Sequence, residues 1–131
     1  MAKSWDEKYN NGKKPAVKVL DKPWAGYDKG AKMLISTPQE IDEYIKQIPY
    51  GVNVRPEKIR EDLAKKHMAD FTCPLTTGIF LKIIAEKYFK ELAEDQDNIT
   101  PFWRVIDPSS NLAYRLSFGS EFIAQMRAKE T

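Results

Sequence analysis

The chain has 131 residues, 42% of them apolar and 31% charged. This is the profile of one globular domain large enough to bury a core without staples. Its single cysteine, Cys73, excludes an internal disulfide. No apolar run approaches the roughly 20 residues that cross a bilayer, and residues 1–7 lack the apolar core of a signal peptide. The expectation is therefore a cytoplasmic protein without a membrane partner. The net charge of +2 hides an asymmetry: residues 1–32 carry eight lysines against four acids, and residues 33–131 carry thirteen basic against fifteen acidic groups. The body thus lacks the strong basic footprint of a high-affinity DNA binder, and the N-terminal segment is either a solvated tail or a source of phosphate contacts.

In chain order, residues 1–31 read as an extended basic arm. Gly12, Pro15, Pro23, Gly26 and Gly30 break any periodicity, and Trp24 and Tyr27 pin the segment to the body. Residues 32–131 form the domain. Met33-Leu34-Ile35 predicts a short strand. Thr37-Pro38-Gln39-Glu40 predicts a helix start, with Thr37 as cap, Pro38 in the first position and Glu40 closing a capping box. Ile41, Tyr44, Ile45 and Ile48 follow on one face, and Pro49 and Gly51 stop the helix. Pro56 opens a second helix with Ile59, Leu63 and Ala64 inward and His67 at its end. Pro74 opens a long third helix reaching about Glu94, with Ile79, Phe80, Ile83, Ile84, Tyr88 and Leu92 as its stripe. Phe102–Ile106 and Leu112–Leu116 read as two strands around the Asp107–Asn111 turn. A last helix after Gly119-Ser120 turns Phe122, Ile123 and Met126 inward. Two helices followed by a hairpin predict an α+β fold, a winged helix-turn-helix domain with an extended N-terminal arm.

The residues with the most to say about function are Pro101-Phe102-Trp103-Arg104-Val105, taken with Ile48-Pro49-Tyr50-Gly51. Phe102, Trp103 and Tyr50 either pack as core and turn residues or line a slot for a flat base, where stacking contributes about 1–3 kcal/mol per base. Arg104 either contacts that slot or pairs with a carboxylate. Thr76 and Thr77, in the first turns of the long helix, either cap and pack it or sit beside phosphates held by free backbone N–H groups. Cys73 near a helix start, with His67 six residues earlier, is the one candidate for thiol chemistry. Its alternative is an inert buried cysteine and a helix-terminal histidine. One Cys and one His make a poor metal site, and no phosphate-cradling glycine loop or spaced carboxylate pair is present, so neither metal nor cofactor is expected.

These residues carry a resemblance. Residues 33–129 resemble the C-terminal domain of the methylated-DNA–protein-cysteine methyltransferases and their alkyltransferase-like relatives. Ile48-Pro49-Tyr50-Gly51 matches the segment before the family's first DNA-binding helix, and Pro101–Val105 falls where the family has Pro-Cys-His-Arg-Val. The stretch from His67 to Phe80 is similar to His-x-Ala-Asp-x-x-Cys-Pro-x-Thr-Thr-Gly-Ile-Phe in uncharacterised bacterial members, with Met68 in place of the usual glycine. Ile99 to Arg104 matches their Ile-Thr-Pro-aromatic-Trp-Arg. The resemblance implies a DNA partner. It also implies that alkyl transfer is lost, because Phe102 replaces the acceptor thiol and Trp103 the activating histidine. The arginine that the family inserts into DNA has no counterpart; Leu75 lies near its place. The expected function is a non-enzymatic DNA-binding protein that senses alkylated guanine through an aromatic slot. The alternatives are a winged-helix module for a protein partner and a thiol enzyme using Cys73.

Overall fold

A computed structural model describes residues 3–131; residues 1 and 2 of the expected arm lie outside the described residues. The fold is α+β, with six α-helices, one 3-10 turn and a three-stranded sheet among the described residues. In chain order these are α1 (Trp5–Tyr9), β1 (Ala16–Val19), β2 (Lys32–Ile35), α2 (Pro38–Lys46), α3 (Pro56–Lys66), β3 (Phe71–Thr72), α4 (Pro74–Ala93), the 3-10 turn (Phe102–Arg104), α5 (Asn111–Arg115) and α6 (Glu121–Lys129). The sheet runs β1-β2-β3, with β1 antiparallel and β3 parallel to β2. Among the described residues no helix is long and apolar enough to cross a membrane.

The three middle helices follow their local signals. Thr37 caps α2 by accepting the Glu40 N–H at 3.1 Å. The capping box is only half made, because the Glu40 carboxylate turns instead to Ser36, Lys66 and His67. Pro56 and Pro74 occupy the first positions of α3 and α4, where a missing N–H costs nothing. At 20 residues, α4 is about 30 Å long. Its Leu81, Ile84 and Tyr88 pack with Leu34, Ile41, Ile45, Ile59 and Ile123 in one core.

Two expectations are corrected. The arm is not simply extended. Residues 5–9 form α1, closed by a full capping box between Ser4 and Glu7, and residues 16–19 form the sheet's outer strand. A five-residue helix is not stable alone, so tertiary contacts hold it. Asp6 lies 3.9 Å from Lys87 and 3.6 Å from Lys90, and the Tyr9 hydroxyl donates to Asp42. As expected, Tyr27 pins the later part of the arm, its ring stacked on Phe71 at 3.9 Å.

The hairpin expected at 102–116 is the second correction. Phe102, Trp103, Val105 and Ile106 are all buried. That consecutive burial does not fit a strand with one wet face, which alternates. The chain instead turns through the Arg104 N–H to Pro101 O and Val105 N–H to Phe102 O bonds. Asp107-Pro108-Ser109-Ser110 is a helix start and not a hairpin turn. Asp107 accepts from both the N–H and the hydroxyl of Ser109, and Ser110 Oγ accepts from the Ala113 N–H at 3.2 Å, capping α5.

Candidate nucleic-acid interface

The two segments singled out in the sequence do meet, but as a clamp and not a slot. Phe102 is fully buried and Trp103 is 7% exposed. Phe102 sits in an aromatic cluster, 5.9 Å from Phe118 and 6.0 Å from Phe122 between ring centres. Phe102 presents no face to a ligand and Trp103 almost none, so their reading as stacking faces is corrected: both are core residues.

The partner of this clamp is Glu130, which the sequence reading missed. Arg104 donates from Nε and Nη2 to the two Glu130 oxygens, each at 2.9 Å, and from Nη1 to Ile48 O at 2.7 Å. Trp103 Nε1 adds a bond at 2.8 Å and the Gly51 N–H one at 3.2 Å. Arg127 Nε returns to Trp103 O at 2.7 Å. Gly51 has φ +81, and a Cβ there would stand 3.0 Å from Glu130 O, so this close approach needs glycine. The Arg104 bonds, with those from Trp103 and Gly51, outweigh burial and hold the Glu130 carboxyl below its usual range. Tyr50 is 68% exposed, yet its hydroxyl donates to Lys129 O at 2.9 Å, so it belongs to the same clamp. Arg104 is therefore a structural fork between α6 and the turn after α2.

The other expected residues are also committed internally. Thr77 is buried and donates to Cys73 O at 2.7 Å; Thr76 points to the same carbonyl at 3.5 Å. Both hydroxyls serve the start of α4, as their reading as capping and packing residues has it. The Cys73 thiol is buried. His67 Nε2 lies 2.6 Å from Glu40 Oε2, and Lys66 reaches the same oxygen at 3.2 Å. Burial pushes the Glu40 carboxyl up, but the bonds to Ser36, His67 and Lys66 bring it below its usual range. The imidazole is thus engaged by Glu40, and no hydrogen bond joins it to the buried thiol among the described residues. Among the described residues no cluster of three or more His, Cys, Asp or Glu could hold a metal ion.

What the structure offers instead is a groove of about 630 Å³ over the first half of α4. Its floor is Pro74, Leu75, Gly78, Ile79 and Ile83. Trp5 of α1 and Leu112 of α5 also line it. Four cations line it, Lys3, Lys8, Lys82 and Arg115, and no carboxylate does, although Lys82 is already engaged within the protein by Arg115 O at 2.9 Å and the Glu86 carboxylate at 3.8 Å. Leu75 is 64% and Ile79 50% exposed, so large apolar groups remain in water between those charges. Lys8 Nζ lies 4.4 Å and Lys82 Nζ 5.6 Å from the Trp5 ring centre, fixing Trp5 among the cations. The exposure of Ile79 corrects its expected place in the inward stripe of the long helix, and Leu75 was marked in the sequence only as lying near the place of the family's arginine. The contribution of Lys3, Trp5 and Lys8 was not visible there, because it depends on where α1 docks.

That docking centres on Asp42, fully buried in α2. It accepts from Tyr9 of α1, from Tyr88 of α4 at 2.5 Å and from Thr100 at 2.6 Å. Burial and the Asp42 bond push the Tyr88 hydroxyl up to about 12 and raise Tyr9 further. Both tyrosines therefore stay protonated donors at neutral pH. No family model, curated protein or solved structure matches the chain.

Proposed function

We propose that this protein is a non-enzymatic DNA-binding protein whose contact surface is the groove over the first half of α4. The observation that carries the reading is the lining: four cations and no carboxylate around an exposed apolar floor. Lys and Arg at such a surface gain affinity by releasing the counterions condensed on phosphates. β3 stands between α3 and α4, and the expected hairpin is absent among the described residues, so the reading rests on the lining of the groove, with α4 as the contacting helix, and not on a helix-turn-helix. The resemblance to the alkyltransferase-like proteins points the same way. Met68, where the resembling bacterial proteins have glycine, has φ +54, a left-handed conformation that favours glycine. Binding is moved here from the aromatic pair, which is core, to the groove. No base-accepting slot remains at Phe102, so the reading includes neither alkyl transfer nor recognition of an alkylated base at that position.

The test is fluorescence anisotropy with labelled DNA, single- and double-stranded, at low salt. Binding should weaken steeply with added salt, to the extent that up to four phosphates are neutralised. The double variant Lys8→Glu, Arg115→Glu should abolish it without changing the circular dichroism spectrum. Absence of binding to any DNA at low salt overturns the proposal.

A further inference from the structure

We infer that the groove takes a single strand of DNA, with an unpaired base on its apolar floor and the flanking phosphates on its cationic rim. The inference rests on the nucleic-acid reading above and narrows it.

Shape comes first. A helix that reads duplex DNA projects into a groove of the double helix. Here the exposed face of α4 is flanked by Trp5 of α1 and by Leu112 and Arg115 of α5, so it is the floor of a trough. A flexible strand can lie in a trough, whereas a rigid duplex can touch only its rim.

Chemistry gives the second argument. Leu75 and Ile79 leave much of their apolar surface in water in a groove that four cations also line. Duplex phosphates offer these side chains nothing, and paired bases show only their edges. An unpaired base has an apolar face that would cover both, while Lys3, Lys8, Lys82 and Arg115 meet the backbone on either side.

Gly78 gives the third. It lies in the floor between Leu75 and Ile79, and a Cβ built on it meets nothing within 4 Å. The helix therefore tolerates a side chain at this position, and glycine is the residue that keeps the floor open at some loss of helix propensity.

The experiment compares a labelled oligothymidylate with a duplex of the same length by anisotropy. The strand should bind about tenfold more tightly, the order expected if the base covers roughly 60 Å² of apolar surface on the floor. Gly78→Phe fills the trough and should remove that advantage, while Gly78→Ala should bind like the parent. Leu75→Ser, at an exposed position with little at stake for folding, should weaken strand binding and leave duplex binding unchanged. Equal or tighter binding of the duplex overturns the inference and leaves the DNA-binding proposal standing. Strand affinity unchanged in both Gly78→Phe and Leu75→Ser also overturns it. Failure to bind either DNA overturns both.

Discussion

At the scale of single residues, the chain places its charged side chains where a second element needs them. Glu130 receives four hydrogen bonds, from Arg104, Trp103 and Gly51, and so ties α6 to the 3-10 turn and to the turn after α2. Its carboxyl is held low by these bonds. A carboxyl whose folded pKa is depressed contributes stability that is present above its unfolded pKa, about 4.3 for glutamate. That contribution is lost as pH falls through the folded value. Glu130→Gln should therefore cost about 2 kcal/mol in urea denaturation at neutral pH, the range for hydrogen bonds to a charged group. The difference from the parent should shrink as the pH falls below the unfolded pKa. A constant difference across that window would show that the charge is not what holds the clamp. The Arg104 half of this pair was legible in the sequence as a fork awaiting a carboxylate. Glu130 was not, because nothing local marks which of fifteen acids in residues 33–131 would come to it.

At the scale of elements, local signals sufficed wherever the element makes its own start and its own apolar stripe. Thr37 with Pro38, Pro56 and Pro74 marked α2, α3 and α4, and the buried Ile41, Ile45, Ile59, Leu63 and Ile84 match the expected inward faces. The failures are elements that exist because of distant partners. The first turn of the 102–116 region was misread because aromatic and β-branched residues suggest a strand, whereas their consecutive burial demands a turn. Yet the Ser110 cap was present in the sequence and would have revealed α5. The helix α1 depends on a bond to Asp42, 33 positions away. Tyr9→Phe deletes that donor while Tyr88 and Thr100 continue to satisfy Asp42. The expected result is local: amide exchange in residues 5–9 rises toward the unprotected rate, α2 and α4 keep their protection, and global stability falls by only about 1 kcal/mol. Unchanged exchange in α1 would mean that the ion pairs of Asp6 with Lys87 and Lys90 hold the helix without Tyr9.

At the scale of the whole molecule, the lysine excess of the N-terminal segment serves two surfaces. Lys3 and Lys8 face the groove; Lys18 lies on β1, the outer strand of the sheet. The carbonyls of Lys32 and Leu34 in β2 are taken by Asp70 and Cys73 on the β3 side. Their opposite residues, Val19 and Val17, therefore turn their backbone groups away from β2, by the alternation of an antiparallel ladder. Both valines are exposed. An open edge of this kind invites pairing with another chain. Antiparallel pairing of two copies about a two-fold axis at Lys18 sets two ammonium groups directly opposite each other, which like charges disfavour. The lysine thus protects the edge that the short sheet leaves open. Lys18→Ile removes the protection and extends the apolar run to Val17-Ile-Val19. In sedimentation velocity this variant should associate with rising concentration more than the parent does, while its circular dichroism spectrum at low concentration stays that of the parent. A variant that associates no more than the parent would show that strand length, four residues here, and not Lys18, is what keeps the edge unpaired.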